Sequence, residues 1–100
     1  MTTLTLDSSS LIATAVQVSG DSLSVELADG RSISVPLAWY PRLFHGTSAE
    51  RGHFRLIGGG EGIHWPDLDE DISVEGIVAG RPSGESQRSL QRWLESRTAK

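Results

Sequence analysis

The chain has 100 residues, enough for one modest core and too few for a second, and its 37% hydrophobic and 22% charged residues keep it clear of the composition that forces disorder. It has no cysteine, which excludes disulfides, thiolate zinc sites and cysteine nucleophiles and fits a cytoplasmic protein. Residues 1–80 carry four arginines against eleven acids, a net of −7, while residues 81–100 carry five basic residues against two acids, a net of +3. An acidic body argues against wholesale nucleic-acid binding by that body and leaves the basic tail as the place where phosphates, or the acidic face of a second copy, would be met.

The N-terminus has no basic residue before its short apolar stretch, so neither a signal peptide nor a membrane span is expected. From Ile12 to Val35 the apolar residues alternate at a period of two. A strand over 12–18 breaks at Ser19-Gly20-Asp21-Ser22, and two further strands flank Ala28-Asp29-Gly30-Arg31. Asp-Gly tolerates the positive φ of a tight hairpin turn, so three antiparallel strands are predicted. Pro36 closes the third, because proline has no N–H for the ladder.

Leu37 to Phe44 then reads as a short helix, with Pro41 suited to a first helical turn and Gly46 ending it. Thr47-Ser48-Ala49-Glu50 has capping-box form and marks another helical turn through about Gly52. Phe54–Ile57 and Ile63–Trp65 make a looser hairpin around Gly58 to Gly62, and Ile72, Val74 and Ile77-Val78 are predicted as a last strand. Gly80 to Gly84 is rich in breakers, and Glu85 to Ala99 is rich in helix formers with a narrow stripe of Leu90, Trp93 and Leu94. The predicted fold is α+β: a small antiparallel sheet of hairpins, one or two short helices after the third strand, and a C-terminal helix. Residues 1–80 form the compact domain, 81–84 a short linker, and 85–100 a helix appended to it. A domain of this size gains from a dimer interface, so homo-oligomerisation is expected.

Three constellations carry chemistry. The glycine run Gly58 to Gly62 lacks the Lys-Ser/Thr and the following helix of a phosphate loop. His64, Asp67 and Asp69, with Glu70 and Asp71, are of metal-ligand type, but they crowd a turn after Pro66 and need not converge. No local context singles out a nucleophile or an acid-base pair, so no enzyme and no cofactor is expected. Trp39, Tyr40, Arg42, Phe44, Trp65 and Trp93 are residue types that dominate interface hot spots and that small cores also need inside.

The strings DGRSISVPLAWYPRL and IHWPDLDEDISVEGIVAG closely resemble the pattern of the bacterial family catalogued as domain of unknown function 2442, over roughly Ala13 to Gly80. The motif positions are Asp29-Gly30-Arg31, Pro36, Trp39, Pro41-Arg42-Leu43, His64-Trp65-Pro66 and Leu68-Asp69-Glu70-Asp71. The resemblance implies a compact α+β unit whose gene context is similar to a type II toxin-antitoxin pair, with this domain on the antitoxin side. Some members continue into a helix-turn-helix, for which the twenty residues after Gly80 are too few.

Two expectations about function follow. One is a protein-interaction module, antitoxin-like, in which Asp67, Asp69, Glu70 and Asp71 attract a small basic protein, such as a cognate toxin, and Trp39, Tyr40, Arg42 and Trp65 hold it. The other is a dimeric nucleic-acid-binding regulator using Arg88, Arg92 and Arg97 of the C-terminal helix.

Overall fold

The computed structural model describes residues 11–98. Two three-stranded antiparallel sheets, of order β1-β2-β3 and β4-β5-β6, share one hydrophobic core. The first comprises β1 (Ala13–Val18), β2 (Ser22–Leu27) and β3 (Ser32–Pro36). Pairing of Leu23 with Val35 and Val25 with Ile33 fixes a register that turns the alternating apolar residues inward and leaves Ser24 and Ser34 hydrogen-bonded to each other at 2.6 Å outside. Gly30 takes φ +96° in the expected turn, and Asp29 braces it by accepting from the Arg31 N–H at 3.0 Å and pairing with its guanidinium at 2.8 Å.

Beyond Pro36 a 3-10 turn (Leu37–Trp39) leads into α1 (Pro41–Phe44), so the expected single helix is two short pieces. Pro41 is the first residue of α1, where its missing N–H costs nothing. The capping box forms as expected at the head of α2 (Ser48–Gly52). The Glu50 N–H donates to Thr47 Oγ1 at 3.1 Å, and the Thr47 N–H donates to Glu50 Oε1 at 2.8 Å. The second sheet follows with β4 (Arg55–Ile57), a glycine turn, β5 (Gly62–Trp65) and β6 (Glu70–Ser73).

The predicted last strand is half wrong. Ile72 lies in β6, but Val74, Ile77 and Val78 lie in α3 (Val74–Val78). Ser73 ends the strand by capping the helix, its Oγ accepting from the Gly76 N–H at 2.9 Å, and the three-residue spacing of Val74 and Ile77 puts both into the core. At the other end Gly80, φ +74°, closes a Schellman motif in which its N–H donates to Ile77 O and the Arg81 N–H donates to Gly76 O. The breaker-rich stretch therefore starts as a helix cap. Residues 81–86 have no regular secondary structure and lead into α4 (Gln87–Thr98).

Candidate functional site: the acidic turn and the face beside it

Trp65 and Glu70 are the last facing pair of the β5-β6 hairpin, and Pro66 to Asp69 form its turn. Asp69 has φ +50°, a left-handed conformation that aspartate tolerates better than most residues. Between the acids Leu68 points inward and is fully buried, each of its methyls 3.0 Å from where a Cβ would stand on Gly46. Trp65 is also fully buried, packs against Phe54 at a centroid distance of 5.9 Å, and donates its indole N–H to Arg51 O at 2.9 Å. The turn is thus pinned from below by two core side chains.

Above that anchor the carboxylates point outward, with side-chain exposures of 45% for Asp67, 91% for Asp69 and 68% for Asp71. Asp67 pairs with His53 Nδ1 at 2.7 Å, and Asp71 pairs with His64 Nδ1. Of the expected ligand set, His64 and Asp67 therefore fall in two separate His-Asp pairs, and Asp69 lies 3.6 Å from Arg42 Nη1 instead. Among the described residues no group of three or more His, Asp or Glu side chains is placed to hold a metal ion.

Glu70 differs from its neighbours. Its side chain lines a cleft of about 210 Å³ with Tyr40, Arg81 and Ser83. Burial pushes its carboxyl up to about 7, against the pull of Arg42 and with a further push from Glu85, Asp71 and Asp69. Tyr40 is buried beside it and donates its hydroxyl to Arg81 O at 3.2 Å. Burial, with the nearby Glu70, also raises the Tyr40 phenol above its ordinary value.

Arg42 connects the turn to α4. It donates to the carbonyls of Leu68 and Asp69 at 3.3 and 3.0 Å and forms a bidentate pair with Glu85 at 2.6 to 3.0 Å, the two side chains being 15% and 9% exposed. Glu85 is held below the usual carboxylate range by this guanidinium and by the Ser89 hydroxyl. Further along α4, Arg97 pairs with Glu50 at 2.7 Å, and this contact with the Thr47 backbone N–H lowers Glu50 to about 2. Trp93 lies between the two arginines, with Arg42 5.1 Å and Arg97 4.6 Å from its ring centroid.

These positions redistribute the expected roles. Tyr40 and Trp65 are core residues, so neither is a surface contact, and Arg42 is largely committed within the chain. Trp39 is half-buried, while Phe44, 50% exposed at the end of α1, and Leu56 on β4 are the exposed large apolar side chains among the described residues. Of the basic-helix residues Arg97 is engaged by Glu50, whereas Arg88 and Arg92 are exposed and line a groove with Asp69 and Trp93. Sequence reasoning missed Glu50 and Glu85 as the groups that fasten α4. Glu50 is visible only as a capping-box residue, and no local pattern reveals its pairing 47 residues away.

No helix among the described residues is long and apolar enough to cross a membrane. No curated protein matches the chain significantly. Among solved structures, a protein of unknown function from Rhodospirillum rubrum is similar in fold, with a TM-score of 0.64 at 23% identity over 79% of this chain and 95% of that one. An uncharacterised protein from Chromobacterium violaceum gives 0.62 at 19% identity over 81% and 74% respectively. The model of a protein family of unknown function matches residues 13–83, a span that holds both sheets, α1 to α3 and the acidic turn and stops just before Glu85. The chain therefore belongs to the protein family of unknown function DUF2442.

Proposed function

We propose that the chain is a non-enzymatic, cytoplasmic protein-interaction module, antitoxin-like, whose acidic turn captures a small basic partner protein. The observation that carries this reading is the presentation of Asp67, Asp69 and Asp71 to solvent from the turn and the start of β6, which Leu68 and Trp65 lock to the core. A rigid array of like charge accelerates encounter with a basic surface and loses little side-chain and backbone freedom on binding. Phe44 supplies an apolar contact nearby, because α1 abuts the turn through Arg42, and the chain just after it through Gly46 against Leu68. The aromatics that support the turn act from beneath it rather than at the contact. The nucleic-acid reading has less support, since Arg97 is already paired with Glu50 and only Arg88 and Arg92 of its three arginines are exposed.

Affinity capture from native cell extract tests the proposal, comparing the wild-type chain with D67N/D69N/D71N at low and high salt. One stoichiometric basic protein is expected at low salt, weakened by salt and lost with the triple substitution. Capture that survives the substitution sinks the charge mechanism. Nucleic acid recovered without a protein moves the weight to Arg88 and Arg92.

A further inference from the structure

The body of the domain holds α4 with very little apolar contact. Among the α4 residues Trp93 packs against the core cluster, while Leu90 and Leu94 remain partly exposed. The rest of the attachment is a polar clamp of opposite signs: Arg42 receives Glu85 and Glu50 receives Arg97, with the Trp93 ring between the two guanidiniums. Both receiving residues lie inside the span matched by the family model, residues 13–83, and all three inserted residues lie outside it. The receiving face thus lies within the matched span, and the segment that fills it lies beyond it.

The tether permits exchange. Its first half is anchored, the Ser83 N–H donating to Trp39 O at 2.9 Å, but Gly84 is exposed with open space around it, and no regular structure intervenes before α4. We propose that the Arg42-Glu50 face is a docking site for a helix of a partner protein, and that α4 is the chain's own occupant of it. The partner helix is identified by its chemistry: an acid at its head, a tryptophan eight residues on and an arginine four further, as in Glu85, Trp93 and Arg97. This surface lies beside the acidic turn and goes beyond the reading given above; it stands or falls separately. A short tether holds α4 at an effective concentration on the order of 1 mM, so for an intrinsic Kd of ~0.1 mM it suppresses a competing helix about tenfold.

The test uses the full chain and a fluorescently labelled synthetic peptide of residues 85–100, with binding read by anisotropy. The R97E substitution sets a second carboxylate against Glu50 and releases the chain's own helix without touching the receiving face. The native peptide is expected to bind R97E up to about tenfold more tightly than it binds the wild-type chain, the factor set by the tether. Charge reversal supplies the specific readout. E50R should refuse the native peptide and accept the R97E peptide, and the R97E arm stands even where E50R weakens the capping box of α2. Equal binding of the native peptide to wild type and R97E, or binding to neither, overturns the proposal. So does a wild-type chain that runs as a dimer and is made monomeric by R97E, which would make a second copy the occupant.

Discussion

Replacement of Glu70 by glutamine is expected to stabilise the protein at pH 8 and to have no such effect at pH 4. The carboxyl rises from its ordinary 4.5 to about 7, chiefly through burial. At ~1.4 kcal/mol per pH unit this bounds the cost of holding the charge at ~3 kcal/mol, and the side chain still meets water in its cleft, so screening reduces that to about 1–2 kcal/mol. The sign follows from proton counting. Below pH 4.5 the folded and unfolded chains both keep the proton and the group contributes nothing. Between 4.5 and 7 only the folded chain keeps it, so stability falls as pH rises, and above 7 the full penalty is present. Glutamine keeps the shape and removes the charge, while Arg42 retains Glu85 as its partner. For a domain of this length the change corresponds to a melting temperature roughly 5–10 °C higher than wild type at pH 8, converging with it towards pH 4. Circular-dichroism melts of the two proteins at pH 8, 6 and 4 give the comparison. Because Glu50 and Glu85 are shifted the opposite way and lose stability on acidification, the difference between the proteins is the informative quantity. A variant less stable than wild type at pH 8 would refute the reasoning, because it would make Glu70 a favourable partner of Arg42 rather than a trapped charge.

Leu68→Ala should cost about 2–5 kcal/mol in urea unfolding, since it empties a fully buried site where the turn is anchored, and a loss under ~1 kcal/mol would show that the turn is not held from below. Gly60→Ala should be far more damaging than Gly59→Ala. Both glycines have positive φ, but a Cβ on Gly60 would press into Ile12 Cγ2 and stand 2.8 Å from Ala13 O, whereas one on Gly59 meets open space, so comparable melting temperatures would contradict the packing. Thr47→Ala removes half of the capping box and should cost about 1 kcal/mol, read by the same unfolding curves; an unchanged midpoint would mean the cap contributes nothing to α2.

The parts of the fold that were legible in the sequence are those decided by neighbours along the chain. Asp29-Gly30 could make its turn, Thr47 to Glu50 its box and Pro41 its helix start without reference to anything distant. Val74 to Val78 failed for the complementary reason. The four apolar residues among the seven from Ile72 to Val78 suit a strand or a short helix equally, and the choice was made by Ser73 capping and Gly80 closing the turn, a pair of signals that also read as ordinary loop residues. At the candidate site the acidic turn was visible as a run of residue types. That Trp65 and Tyr40 serve the core, that Glu70 faces a cleft, and that Arg42 reaches Glu85 43 residues away depend on how segments distant in sequence pack around one core.

The acids around the β5-β6 turn and α4 do three different jobs, and that bears on how the charge of the domain should be read. Glu50 and Glu85 are matched by Arg97 and Arg42 and fasten α4, so they add little to the field a partner meets at a distance. Glu70 sits in its cleft, where burial raises its affinity for a proton to the neutral range, so its charge varies with pH instead of standing as a fixed attraction. The outward field near the β5-β6 turn therefore comes from Asp67, Asp69 and Asp71, three carboxylates fixed on five consecutive residues. A formal net charge of −4 does not reveal that concentration, and the salt dependence of any partner's on-rate should follow these three side chains rather than the net charge of the chain.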